Sequence, residues 1–224
     1  MKDPTRIEPL LGLLRDAWEA QPDLALSELW GILENRGIGW GATDEQVSEV
    51  LRHILREHPL RVGEEPVLVY TTQPEYLVTI HPEEGAVVVR HPDRSRQPAW
   101  WSLGEVVRAR VGAPLVLRDG EGIDHRLGVV RGIDALRGQR RDLSGLRRDQ
   151  MGDEAYACRL DSGDLVVIGH GMDVYAKERR SVVHSALPWE KIKAGAPGTG
   201  LVIQPQGESG ERELGTVSAV LPLA

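Results

Sequence analysis

Gly169-His170-Gly171-Met172-Asp173 is the stretch of this 224-residue chain in which an imidazole and a carboxylate stand closest to an acid–base arrangement. A histidine between glycines at a strand end is exposed, and a carboxylate three residues on can orient its ring. With a serine as nucleophile, His170 and Asp173 would form a hydrolase centre. Ser162, Ser181 and Ser185 are the candidates, and none stands in a GxSxG elbow. Cys158 with His170 or His184 is the alternative nucleophile pair. Among the seven histidines no two have HxH or HExxH spacing, and His58, His81 and His91 fall in turn-like contexts. No metal and no cofactor is therefore expected.

A second feature is charge. Arg126, Arg131, Arg137, Arg140, Arg141, Arg147 and Arg148 lie against only Asp134 and Asp142, a formal +5 in a chain of −7. Arginine suits bidentate contact with phosphate, so this basic segment could meet DNA, RNA or an acidic protein surface. It lacks the interleaved aromatics on which bases stack, and Gly132, Gly138 and Gly145 suit a solvated loop. Lys177, Arg179 and Arg180 in one expected turn and Lys191 and Lys193 in another would enlarge the patch. Trp100-Trp101 is a third feature: paired indoles either plug a core or anchor a partner.

These groups need elements to hold them. Thr5 with Glu8, or Glu8 with Pro9, fits a helix start, and Leu10, Leu11, Leu14 and Trp18 share one face up to about Ala20. Pro22 ends that helix. A second begins between Asp23 and Ser27, carries Leu26, Leu29, Trp30 and Leu33, and ends at Gly37 as the left-handed cap. The glycines at 37, 39 and 41 do not form a phosphate loop, because a helix rather than a strand precedes them, and they predict a tight corner with Trp40 packed beneath it. Thr43 and Gln46 form a capping box for a third helix bearing Val47, Val50, Leu51, Ile54 and Leu55, which stops at His58-Pro59. Two β-like runs, 67–70 and 76–80, lead through a turn at 81–85 to a third at 86–90.

Three helices followed by a hairpin resemble a winged helix over residues 6–90. The resemblance implies that the third helix enters the major groove of DNA and that the hairpin is the wing. The third helix, however, opens with Asp44 and Glu45 and continues to Glu49, and residues 1–60 hold 6 Arg and Lys against 11 Asp and Glu. Phosphate neutralisation supplies most non-specific DNA affinity, and an acidic helix opposes it.

Residues 91–102, rich in Pro, Arg and Ser, read as a linker or long loop. Ser102 with Glu105 suggests a short helix at 103–110, after which turn signals separate about seven short strands. The expected fold is α+β. Residues 1–92 form a winged-helix-like three-helix unit with a hairpin, residues 93–102 a linker, and residues 103–224 a mostly antiparallel β-rich domain, a small barrel or sandwich.

Composition is that of an ordinary globular chain, 41% hydrophobic and 27% charged. No run is long enough to span a bilayer, so no membrane role is expected, and a single cysteine suits a reducing cytoplasm. Arginine outnumbers lysine 23 to 4, phenylalanine is absent and Asn35 is the sole asparagine, a bias that a GC-rich gene produces without nucleic-acid binding. The expectation is a non-catalytic protein working through a protein partner or self-association. A regulator binding DNA or RNA through the arginine segment is the second reading, and the His170/Asp173 hydrolase the third.

Overall fold

The structure is a computed structural model describing residues 3–136, 140–178 and 181–224. The chain is α+β, with three helices followed by strands. It divides into two units: Met1–Val87 with Trp101–Ala135, and Val88–Trp100 with Leu136–Ala224.

In the first unit a 3-10 turn, Pro4–Arg6, precedes helix α1, Ile7–Glu19. The Thr5/Glu8 start does not form; the Asp3 carboxylate accepts from the Thr5 N–H at 3.0 Å and starts the turn one step earlier. Helix α2 is Leu26–Asn35, where Glu28 accepts from the Ala25 N–H at 2.7 Å. Helix α3 is Asp44–Glu57, and both halves of its expected box are present: Thr43 Oγ1 accepts from the Gln46 N–H, and Gln46 Oε1 from the Thr43 N–H. Gly37 is the left-handed cap, at φ 87.

Buried Ala17, Leu33, Leu51 and Ile54 make the helical core, with Leu10, Leu13 and Leu14 packed against it. The face that α1 buries is thus 10, 13, 14 and 17, at i, i+3, i+4 and i+7. Leu11 and Trp18, expected on that face, lie on its outer flank and are exposed. Trp40 is not packed under the corner either. Positive φ at Gly37 and Gly41 swings the chain so that Ile38 enters the core and the indole stands fully in solvent.

Six strands then close an antiparallel barrel: β1 (Val67–Thr72), β2 (Leu77–His81), β3 (Ala86–Arg90), β4 (Ala99–Arg108), β5 (Pro114–Asp119) and β6 (Asp124–Ala135). Strand β1 pairs with β6 from Val67 opposite Ala135 to Thr72 opposite Val129, which completes the closure and removes the sheet's edges. Val69, Val78, Ile80, Leu115 and Leu117 are fully buried. The helix expected at 103–110 is the second half of β4. Its Trp-Trp and Val-Val pairs favour extended backbone, and Leu103 and Val106 pair with Asp119 and Leu117 of β5, a long-range ladder that overrides the Ser102/Glu105 pattern. The barrel therefore draws strands from both sides of the expected linker, and β4 begins at Ala99, inside it.

The second unit holds a curled seven-stranded sheet, ordered β10-β9-β8-β7-β13-β12-β11. Its strands are β7 (Tyr156–Leu160), β8 (Leu165–Ile168), β9 (Met172–Lys177), β10 (Val182–Leu187), β11 (Trp189–Ala194), β12 (Gly200–Pro205) and β13 (Arg212–Pro222). Lys191 and Lys193 lie in strand β11, not in a turn: Trp189 and Ile192, both fully buried, hold this edge strand to the core while the lysines alternate outward. The Val88–Trp100 segment is fastened to the sheet unit. Arg90 donates to the Leu223 carbonyl at 2.9 Å, Arg159 lies 4.3 Å over the Trp100 ring, and Tyr175 Oη donates to the Arg94 carbonyl at 2.5 Å.

Candidate functional site

His170 is exposed at the β8–β9 turn, which Gly169 closes by donating its N–H to the Gly171 carbonyl at 2.8 Å. It borders a cleft of about 470 Å³ together with Arg147, Arg148, Asp149, Glu190 and Gln206, over the edge of buried Trp189. Asp173 turns to another histidine. Its Oδ1 lies 2.9 Å from Nε2 of His184 on the neighbouring strand β10, and Arg94 approaches Oδ2 at 2.7 Å, an ion contact. The His184 ring stacks on Tyr175, with centroids 5.0 Å apart. Asp173 is 5% exposed, so this cluster joins β9, β10 and the 88–100 segment from within.

The candidate nucleophiles stand apart from both imidazoles in their bonding. Ser162 Oγ accepts from the Asp164 N–H in a tight turn, Ser181 Oγ contacts Glu178 at 3.5 Å, and Ser185 lies on β10 opposite Val174. Cys158 sits in the sheet core with no exposed surface, and burial pushes its thiol up to about 12. The nucleophile is the thiolate, which burial withholds at neutral pH. The thiol is expected to stay silent to Ellman's reagent at pH 8 in the native protein and to react once in denaturant; rapid native labelling would show an open core.

The arginine segment is shared between the two units. Arg126 and Arg131 are exposed on β6 of the barrel, and Arg131 Nε donates to Asp23 at 3.0 Å. Arg140, Arg141, Arg147 and Arg148 belong to the sheet unit, and Arg137, like Arg179 and Arg180, lies outside the described residues. Arg147 forks onto Asp149 at 3.0 and 3.1 Å, and Arg148 donates to Gln206 Oε1 at 2.6 Å. The stretch after Arg141 is no free loop. Leu143 and Leu146 are buried, and backbone bonds join Leu143 to Gly195, Gly145 to Ile192 and Ile192 to Leu146. Trp100 and Trp101 are both half-buried, Trp100 under Arg159 and Trp101 stacked on His125 at 4.6 Å.

Sequence spacing gave no hint of a further pair. His58, just past the end of α3, presents Nδ1 to Asp134 Oδ1 on β6 at 2.7 Å, across 76 residues. Tyr70 of β1 also donates to Asp134, and these two hydrogen bonds hold that carboxyl below its ordinary range. Asp134 is therefore a carboxylate at neutral pH. It must be the acceptor, which places the donated proton on His58 Nδ1 and leaves Nε2 for another partner. The pair borders a cleft of about 280 Å³ lined by the α1–α2 turn, Ala20 to Leu24, and by residues 131–134 of β6. Only the closed barrel brings β1 and β6 together behind α3; the one local clue was a histidine ending a helix before proline.

The helices also carry an apolar surface. Ile7, Leu11 and Trp18 of α1 and Leu26 and Trp30 of α2 are all exposed, Trp30 by 53%, and Trp40 stands on the following corner. These side chains fall at i, i+4 and i+11 in α1 and at i, i+4 in α2, beside the buried stripe, so the apolar arc is wider than the core needs. Glu8, Asp16, Glu19, Glu28 and Glu34 lie on the same two helices with Arg15, and Glu19 is also paired with Arg110 at 2.6 Å.

Among the described residues no group of three or more His, Cys, Asp or Glu side chains is placed to hold a metal ion, and no helix is long and apolar enough to cross a membrane. No family model matches the chain, and neither the curated proteins nor the solved structures yield a match.

Proposed function

We propose that this protein acts without catalysis, as an interaction protein whose three-helix unit docks another protein. The observation that carries this reading is the exposed apolar arc on each of two acidic helices, Ile7, Leu11 and Trp18 on α1 and Leu26 and Trp30 on α2. Exposed apolar groups gathered on one face and rimmed by charge mark protein-binding surfaces, and tryptophan is prominent among residues that dominate binding energy. The rim fixes the partner's chemistry as an amphipathic segment whose apolar anchors are flanked by lysine and arginine. A second copy of the same face would set carboxylates against carboxylates. The order of three helices and the β2–β3 hairpin is in keeping with a winged-helix-like unit, in which Asp44, Glu45 and Glu49 on α3 turn the use from phosphate to protein.

The test is fluorescence anisotropy of a labelled amphipathic peptide of lysine, leucine and tryptophan, titrated with the full chain. Saturable binding is expected, about 30-fold weaker for Trp30→Ala, the loss typical of a central aromatic anchor of some 2 kcal/mol. A peptide with glutamate in place of lysine is expected not to bind. Equal binding of both peptides, indifference to Trp30→Ala, or a shift of duplex DNA at physiological salt with a steep salt slope would overturn the reading, the last in favour of a nucleic-acid regulator.

A further inference from the structure

We infer that the cleft bordered by His58, Gln21 and Arg131 is a binding site for a small organic carboxylate with a short apolar body. The inference is independent of the docking face, because it rests on a different set of atoms within the first unit.

The counting of donors and acceptors carries it. The two carboxylates beside the cleft each have a partner: Asp134 accepts from His58 Nδ1 and from Tyr70, and Asp23, open to solvent, accepts from Arg131 Nε through Oδ2. Donors are left over. Gln21 Nε2, on the turn that lines the cleft, is buried with no hydrogen-bond partner among the described residues. A buried amide N–H without an acceptor costs about 1–3 kcal/mol, so this position is stabilised by whatever brings an acceptor. The terminal nitrogens of the Arg131 guanidinium remain after its Nε has been used, and the ring of His58, held to Asp134 through Nδ1, borders the same cleft. A group that supplies acceptors and a negative charge suits the Gln21 amide and the Arg131 guanidinium, and a planar carboxylate suits the guanidinium in particular.

The walls give the rest of the ligand. Ala20, Pro22, Leu24 and Ile133 line the same cleft, and its volume of about 280 Å³ matches a small molecule rather than a peptide. Inorganic phosphate would use the donors but leave those apolar walls without a partner. Asp134 has a positioning role in this arrangement, since it touches the ligand only through the His58 ring.

Isothermal titration of the full chain with sodium benzoate, run beside benzamide and inorganic phosphate, tests the assignment. Benzoate is expected to bind saturably, and benzamide, of nearly the same shape without the charge, at least about 10-fold more weakly, the ratio for roughly 1.4 kcal/mol. Gln21→Leu and Arg131→Gln, changes on different elements, are each expected to weaken benzoate by about 5- to 10-fold while the far-UV circular dichroism of the native protein is retained. In the NMR spectrum the His58 ring signal, assigned by its loss in His58→Asn, is expected to move along the same saturation curve. No saturable benzoate binding at millimolar concentration, equal binding of benzamide, phosphate as strong as benzoate, or variants that bind like the parent would each overturn the inference.

Discussion

Gly128→Ala is expected to weaken the barrel by roughly 3 kcal/mol. The residue sits at φ +89, and a Cβ there would lie 2.5 Å from the Thr72 carbonyl oxygen and 2.7 Å from that of Pro74. The left-handed backbone alone costs a residue bearing a side chain about 1–2 kcal/mol. The overlap with two backbone oxygens adds about 1–3 kcal/mol, because neither carbonyl can rotate away without shifting β6 against the β1–β2 turn. Gly122→Ala is the control: its φ is +86 but nothing lies within 4 Å of the added methyl, so only the first contribution is lost. Urea denaturation followed by far-UV circular dichroism separates the two. If both substitutions moved the midpoint equally, the close approach of β6 to the turn would be refuted.

Trp189→Ala is expected to be comparably large in the sheet unit. The indole is fully buried in the sheet core, and its Nε1–H donates to the Gly169 carbonyl at 3.0 Å. Truncating a buried tryptophan costs about 3–5 kcal/mol through lost transfer energy and the cavity left behind. Trp189→Phe keeps most of the apolar volume and removes the hydrogen bond, and so is expected to lose about 1–3 kcal/mol. Because Gly169 precedes His170 at the turn, the phenylalanine variant also tests how that turn is held: proton exchange of the Gly169–Gly171 amides is expected to quicken in it. A midpoint for Trp189→Ala within about 0.5 kcal/mol of the parent would place the indole outside the core.

The helices were legible in the sequence because their signals are local. Thr43 with Gln46, Gly37 after α2 and the proline after His58 each act within a few residues, and the structure places all three boundaries there. Locality also sets the errors. Ser102 and Glu105 have helix-start spacing, yet pairing with β5 decides the conformation, and that partner lies beyond Arg108 in the chain. Lysines at 191 and 193 suggested a turn, but alternation about Ile192 is what an edge strand does when one face is wet. The apolar period of α1 was visible; which part of its arc would be buried depends on the curvature of its neighbours, and Leu11 and Trp18 fell outside.

The site was less legible than the fold. His170 and Asp173 are near in sequence, but adjacent residues around a strand turn diverge, and Asp173, paired with Ala186 in the ladder, meets the diagonal neighbour His184 of β10 instead. The arginines looked like one segment because they are consecutive in the chain, whereas β6 ends one unit at Ala135 and the next four described arginines belong to the other. His58 and Asp134 are the reverse case, distant in the chain and joined by barrel closure.

The chain crosses between its two units three times, after Val87, Trp100 and Ala135. Synthesis therefore delivers Val88–Trp100 to the tunnel exit ahead of half the barrel and well before the strands they belong with. A product halted after Ala135 carries a stranded piece of the other unit, and a fragment started at Leu136 lacks it. A reading frame ending at Ala135 holds all six barrel strands together with Val88–Trp100, so it is the sheet unit whose isolation calls for a second polypeptide or a rearranged order of segments.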